Sequence, residues 1–408
     1  MRYQNRAAAL FVAILLPLLF GVISCNKRTS GSEENSVAAA NLHVGPPLTN
    51  EECTKFAVSL KEAIYSGDNA AANKLVDWDT LLETGMADVE ATDSSRKNFA
   101  KGFKNFAGGS GFIGAIIESV KNDGSYDPLH VHSVEGEKRI LFRWIQPNGG
   151  LRYHDWILAR YQDGQTHGVD LYNFSSGERF TETARRGFLP VAVRESGLFK
   201  RPVVSDQLYV EHWPKLQQMN ECLKAEKYQE GITAYRQLPE RMRREKNILL
   251  LRLRLAQKAG DQEYSEAIQD FIANFPDDPC ADLLAIDAYY LKKEFAKALQ
   301  FVDHLDAAVG GDPYLNVLRS NLFVESGKLL EARKACQKAI EEEPTLKRAY
   351  WSLLNVSLQE KKFDETAELL SQLAEKLHED IGDLTTTPGY AEFVHSPQYQ
   401  KWMKSKKK

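Results

Sequence analysis

Histidines crowd one stretch of this 408-residue chain: of the nine, His130, His132, His154 and His167 lie within it. An imidazole beside a carboxylate can serve as a general base or a metal ligand, and Asp155 and Asp170 fall in the same stretch. His130 and His132 are two apart and share a face if the segment is a strand. The pocket candidates are therefore His130, His132, His154 and Asp170. Two facts count against one shared site. His154 and Asp155 are adjacent and point to opposite faces of a strand, and the same-face neighbours of His154 include Trp156 and Leu158. Solvated or structurally hydrogen-bonded histidines are the favoured reading.

Other chemistry is easier to dismiss. Gly108-Gly109-Ser110-Gly111 lacks the Lys-Ser/Thr of a phosphate loop and follows no strand, so it reads as a helix break. Ser110 stands in no nucleophile-elbow motif, and no carboxylates are paired at a clear spacing. Cys53, Cys222, Cys280 and Cys336 form no C-x-x-C and no Cys/His cluster at zinc spacing. Buried free thiols are expected, because free cysteine packs as a small hydrophobe. No metal, cofactor or catalytic residue is assigned.

Arg236, Arg241, Arg243, Arg244, Lys246, Arg252 and Arg254 make the densest basic run. A patch of Arg241, Arg243, Arg244 and Arg252 could hold an acidic peptide or an anionic envelope component. A solvated helix face explains such runs more often. The formal charge of −4 gives no reason to expect nucleic acid.

The elements that must position these residues begin with an address. Arg2 and Arg6 precede an apolar run from Ala7 to Ile23, interrupted by Pro17 and Gly21, which leads into Val22-Ile23-Ser24-Cys25. Positive, apolar and small regions in that order describe an export signal over residues 1–24. The last four residues resemble a bacterial lipobox, with Val22 where leucine is commoner. That resemblance implies cleavage before Cys25 and acylation of its thiol and new amino terminus. Two or three acyl chains hold firmly where one binds reversibly, since each buried CH₂ contributes about 0.8 kcal/mol. An uncleaved single-span anchor and plain secretion are the alternatives, and all three put the bulk of the chain outside the cytoplasm. Asn26, where an aspartate could stand, favours the outer membrane. Residues 25–49 are polar, Gly/Ser/Pro-bearing and without periodicity, as a tether would be.

Residues 50–195 read as an α+β domain, helices first. Phe56, Leu60 and Ile64 make one helical stripe, Leu75 and Trp78 a second, and Phe99, Phe103 and Phe106 a third that Ser94 or Ser95 could cap. Four strand-like runs follow, Tyr126–Val134, Lys138–Gln146, Leu151–Tyr161 and Thr166–Phe174, separated by turn signals that make an antiparallel meander. The run from Ile140 to Ile145 is apolar on both faces, as a sheet covered by helices on one side explains. Phe180, Ala184 and Phe188 mark a further helix. Helices followed by a curved meander resemble the nuclear transport factor two-like, or SnoaL-like, cone. That resemblance rests on element order alone and implies either a binding domain or a hydrolase or isomerase, so it leaves function open.

After a connector at 196–206, residues 207–378 are helical and repetitive. Ala298 and Ala332 are 34 apart, as are Val302 and Cys336, and Leu305, Ala339 and Leu373 continue the interval. Tyr228, Gly231, Tyr235 and Leu238 mark a unit upstream, and Leu251, Leu255, Ala267 and Phe271 an irregular one with a small insertion near Gln262. Gly327, Ala332, Ala339 and Pro344, with Phe295, Ala298 and Leu305 before them, resemble the tetratricopeptide repeat. The family's tryptophan-leucine-glycine signature is absent, Asn316, Arg319 and Ser320 standing in its place. Residues 379–408 carry Tyr390, Phe393, Tyr399 and Trp402, a cover for the last repeat, and then a basic tail.

The expected fold is thus an α+β domain followed by an all-α tetratricopeptide-like superhelical solenoid. The expected function is a membrane-anchored, non-catalytic envelope scaffold. Its partners are a protein or peptide on the repeats and a membrane through the lipid on Cys25. The alternative is small-ligand binding or hydrolase/isomerase chemistry in the cone-like domain, with the repeats recruiting substrate. The cone superfamily often pairs through its sheets, which leaves a homodimer open.

Overall fold

Thr49 and Glu52 cap one another at the start of the folded chain. The Glu52 N–H donates to Thr49 Oγ1 at 3.2 Å and the Thr49 N–H donates to Glu52 Oε2 at 2.8 Å, satisfying two donors that a helix N-terminus leaves open. They open α1 (Asn50–Ser66) in a computed structural model that describes residues 47–87, 89–108, 111–196, 204–276 and 278–405. The signal region and Cys25 lie outside these residues. Among the described residues no helix is long and apolar enough to cross a membrane.

Four more helices precede the sheet: α2 (Asn69–Lys74), α3 (Trp78–Met86), α4 (Asp93–Gly108) and α5 (Phe112–Lys121). Asp68 caps α2, accepting from the Ala71 N–H at 2.9 Å. The α4 cap is Thr92, whose Oγ1 accepts from the Ser95 N–H at 3.2 Å, so the serines expected as caps lie inside the helix. The meander follows as β1 (Ser125–Val134), β2 (Glu137–Ile145), β3 (Leu151–Arg160), β4 (Thr166–Asn173) and a two-residue β5 (Glu178–Arg179), each antiparallel to the next. The chain then enters α6 (Phe180–Ser196).

Register sorts the sheet's side chains. Trp144 lies opposite Arg152, Phe142 opposite His154 and Ile140 opposite Trp156, and these share a face with Tyr126. That face meets the first helices: the Trp156 ring is 6.2 Å from Phe56 of α1 and 6.1 Å from Phe112 of α5. The opposite face carries Arg139, Leu141, Arg143, Tyr153, Asp155 and Ile157, and it is buried as well. One helix-covered face therefore accounts for only half of the apolar strand pattern.

Beyond the sheet the described chain is helical: α7 (Val204–Glu211), α8 (Trp213–Lys224), α9 (Tyr228–Arg236), α10 (Glu240–Arg243), α11 (Lys246–Ala259), α12 (Asp261–Asn274), α13 (Pro279–Leu291), α14 (Phe295–Ala308), α15 (Pro313–Glu325), α16 (Leu329–Glu342), α17 (Lys347–Gln359) and α18 (Phe363–Glu375). The short α19 (Ala391–Val394) and α20 (Pro397–Ser405) come last. The 34-residue interval is carried by the backbone itself. Helices α13, α15 and α17 begin at 279, 313 and 347, and α14, α16 and α18 at 295, 329 and 363. The turns between paired helices repeat at Lys293, Gly327 and Lys361, each left-handed (φ 58°, 74° and 56°). Only the middle one has the glycine that this conformation favours. The unit that looked irregular in sequence is an ordinary pair, α11 and α12, divided at Gly260.

The fourth residue of each second helix sits at the crossing: Gly231, Tyr264, Ala298, Ala332 and Thr366, all buried. At Gly231 a Cβ would lie 2.5 Å from Leu255 Cδ2 and 3.2 Å from Cys222 Cβ, so α9 meets α8 and α11 too closely for a branched side chain. Gly231→Val is expected to cost about 1–3 kcal/mol by overpacking, read as a lowered urea midpoint. An unchanged midpoint would show that the crossing has slack.

The described chain forms two compact units, divided at Asp282 within α13. The first joins the α+β elements to the earliest helix pairs through a polar seam. Lys246 Nζ donates to the Gly177 carbonyl at 2.7 Å and pairs with Asp278 Oδ2 at 2.5 Å, while Cys280 Sγ donates to the Ser175 carbonyl at 3.2 Å. The second unit, from Asp282, ends in an aromatic cluster. Phe393, Tyr390 and Trp402 pack on Leu369, Leu370 and Leu373 of α18.

Candidate functional site

The register of the histidine-rich sheet scatters the candidate residues. A bulge between Pro128 and His130 reverses the side-chain alternation of β1. His130 and His132 thereby face away from Tyr126 and His154. Their rings are 5.7 Å apart. His132 Nε2 lies 2.8 Å from Asp155 Oδ1, and Arg139 donates to the other carboxylate oxygen at 3.4 Å. Arg139 also pairs with Glu137 at 2.5 Å, which Arg179 clamps with two bonds of 2.8 and 3.1 Å. This is a chain of ion pairs along one sheet face.

Asp170 is used elsewhere. Its carboxylate accepts from the Leu171 N–H at 2.8 Å, the Thr181 N–H at 3.2 Å and the Thr181 hydroxyl at 2.8 Å, tying β4 to the first turn of α6. Burial nevertheless raises its pKa.

His154 is fully buried on the helix-covered face, against the rings of Phe112 (5.1 Å), Trp144 (5.4 Å) and Tyr126 (5.7 Å). Burial, joined by the nearby Arg152 charge, lowers its pKa to about 3, so the imidazole is neutral at pH 7. Its tautomer follows from its neighbours. The Trp156 Nε1–H donates to Tyr126 Oη at 2.8 Å, which leaves the tyrosine proton for His154 Nδ1 at 3.3 Å. The imidazole proton is then on Nε2, which is buried and has no hydrogen-bond partner among the described residues. The four sequence candidates thus occupy three places. Among the described residues no group of three or more His, Cys, Asp or Glu could hold a metal.

Arg236, Arg244, Lys246 and Arg252 of the basic run pair with acids. Arg252 pairs with Asp270 and, at 3.2 Å, with Glu263, and its guanidinium lies 5.0 Å from the Tyr235 ring centre. Glu263 also takes Arg236 at 2.5 Å, and Arg244 takes Glu240 at 2.5 Å. Arg241 is exposed and Arg243 half-buried, with no carboxylate partner among the described residues. The four arginines do not present one open patch.

A more open surface lies on α17. Ala349, Tyr350, Leu353, Leu354, Val356 and Ser357 are buried in the repeat packing. Arg348, Trp351, Ser352, Asn355 and Gln359 recur at helical spacing along the other side and remain half-buried or exposed. Ser352 Oγ donates to Asn321 Oδ1 of α15 at 2.9 Å, extending the strip to the preceding pair. Lys347 pairs with Glu379 at 2.6 Å, and the same carboxylate lies 3.4 Å from Trp351 Nε1, fixing the indole at the strip's edge. The α13 residues one repeat interval before Asn321, among them Asp287, are closed: every position from Cys280 to Ala288 is buried.

No protein-family model matches the chain, and no curated protein matches its sequence. Among solved structures it is similar to one described as MamA 41-end from Desulfovibrio magneticus RS-1. The identity is 16% and the TM-score 0.35, over 40% of this chain and 93% of that one. A second, described as the crystal structure of MamA protein, is 15% identical with a TM-score of 0.34, over 41% of this chain and 96% of that one. The helix-pair architecture is read from this chain's own intervals, not from these likenesses.

Sequence reasoning passed over the strip on α17. Its Trp, Asn, Ser and Arg spacing was visible, but nothing in the sequence told which face of α17 would be left open.

Proposed function

We propose that the chain is a membrane-anchored scaffold of the bacterial envelope that holds a protein or peptide partner on its helical repeats and catalyses no reaction. The observation that carries this reading is the strip on α17: Trp351, half-buried at the edge of the terminal cluster, with half-buried or exposed arginine and amide side chains along the same side of the helix. Tryptophan and arginine dominate the energetics of protein interfaces, and amides adapt to a partner's backbone. A helical repeat array offers such strips on successive helices without needing a reactive group. Lipid on Cys25 and an outer-membrane location belong to the same proposal and rest on the lipobox resemblance alone.

Deleting residues 207–408 would be a poor test. It would open the seam at Gly177, Ser175, Lys246 and Cys280 along with removing the repeats. Substitution within the strip is cleaner. Trp351→Ala and Asn355→Ala are expected to weaken capture of the native partner from membranes at least tenfold, the size of a hot-spot loss, with an unchanged helical circular dichroism spectrum. Retention of the same partner by both variants at the wild-type level would remove α17 as the recognition surface.

A further inference from the structure

The two sides of α20 differ in kind. Trp402 is buried, and Tyr399 and Met403 pack against the same terminal cluster. The Tyr399 ring lies 5.5 Å from Phe393, and the Gln398 amide donates to Asp364 of α18 at 3.3 Å. These contacts fix which side of the helix faces outward. Lys401 and Lys404, neighbours on a helix surface, stand on that side, exposed and with no carboxylate partner among the described residues. The sequence continues with Lys406, Lys407 and Lys408, so 401–408 holds five lysines and no acid.

Exposed lysines elsewhere in the chain are paired: Lys55 with Glu51 at 2.8 Å, Lys361 with Glu392 at 2.7 Å and Lys347 with Glu379 at 2.6 Å. Acids on the helices that α20 meets have other partners too, Glu392 in Lys361 and Glu365 in Arg333 at 2.5 Å. The formal charge of the whole chain is −4, so this run is a local segregation of positive charge. A surface that is itself densely negative complements it. Each lysine held near an anionic membrane strengthens binding by about fivefold. Because the indole is committed to α18, the contact is electrostatic and needs no insertion into hydrocarbon.

We propose that Lys401 and Lys404 on the outer side of α20, continued by Lys406, Lys407 and Lys408, dock the end of the repeat array on the anionic headgroups of a membrane surface. The proposal takes its setting from the membrane-attached reading above, but neither acylation of Cys25 nor the strip on α17 enters its test.

That test is flotation of the full chain carrying Cys25→Ser with two kinds of vesicle, phosphatidylcholine alone and phosphatidylcholine mixed equally with phosphatidylglycerol. The ratio of binding to the two is the readout, which cancels attachment through the apolar run of residues 7–23. The parent is expected to prefer the anionic vesicles and to lose that preference near 1 M salt, where charges are screened within about 3 Å. Lys401→Gln with Lys404→Gln is expected to lower the preference at least fivefold with an unchanged urea midpoint. Lys401→Arg with Lys404→Arg keeps both charges and should bind as the parent does. Lys55→Gln with Lys227→Gln removes the same charge elsewhere and should leave the preference intact. The proposal is overturned if the parent shows no preference, if the α20 glutamine pair keeps it, if the arginine pair loses it, or if the control pair lowers it as far.

Discussion

Phe393→Ala is expected to destabilise the unit from Asp282 onward by about 3–5 kcal/mol, the range for truncating a buried aromatic to alanine. Phe393 is fully buried, and its ring lies 5.8 Å from Phe363, 5.5 Å from Tyr399 and 6.5 Å from Tyr390. Around these rings Leu369, Leu370 and Leu373 of α18 meet Ile381, Leu384 and Trp402 of the tail. A repeat array buries each helix pair against its neighbours, so its last pair depends on whatever closes the end. Here Phe393 sits at the centre of the side chains that join α18 to the closing segment. Urea unfolding followed by tryptophan fluorescence should show an early transition in the variant, since Trp351 and Trp402 both report on this cluster. A loss below about 1 kcal/mol, no larger than a modest core adjustment, would mean that the tail lies on α18 without stabilising it. Partner capture should fall in parallel, because Trp351 packs on the same cluster from the α17 side.

What the sequence disclosed follows the strength of its local signals. The hairpins are legible because Gly136, Gly149 and Gly164 mark turns that need positive φ (85°, 89° and 80°). The repeat is legible because Ala298 and Ala332 place small residues 34 apart at the helix crossing. Tyr264 occupies the equivalent place in α12, which is why that pair looked irregular. The α5 helix is masked in the sequence by the glycines at 108–111, although Phe112, Ile113, Ile116 and Ile117 keep helical spacing. The candidate site was less accessible for a different reason. A bulge is one extra residue in a strand, and nothing in the run from Tyr126 to Val134 tells that it falls between Pro128 and His130. Placed elsewhere, it would return His130 and His132 to the face of His154. The partners of the basic run lay beyond local reading too: Glu263 and Asp270 reach Arg252 only once α11 and α12 are folded against each other.

His154 also predicts how the folded chain responds to acid. An unfolded histidine titrates near 6.5, whereas the folded one is held neutral down to about 3. Between those values the unfolded chain binds a proton that the folded chain refuses. Stability therefore falls as pH falls through this window, by about 1.4 kcal/mol per pH unit and roughly 4–5 kcal/mol in all. His154→Phe removes that proton. It also removes the acceptor for Tyr126, a loss that offsets stability by the same amount at every pH and leaves the slope as the readout. Urea midpoints at pH 7, 6, 5 and 4 should fall more steeply for the wild type than for His154→Phe, with the gap opening below pH 6.5. Parallel curves would place the acid-sensitive group elsewhere.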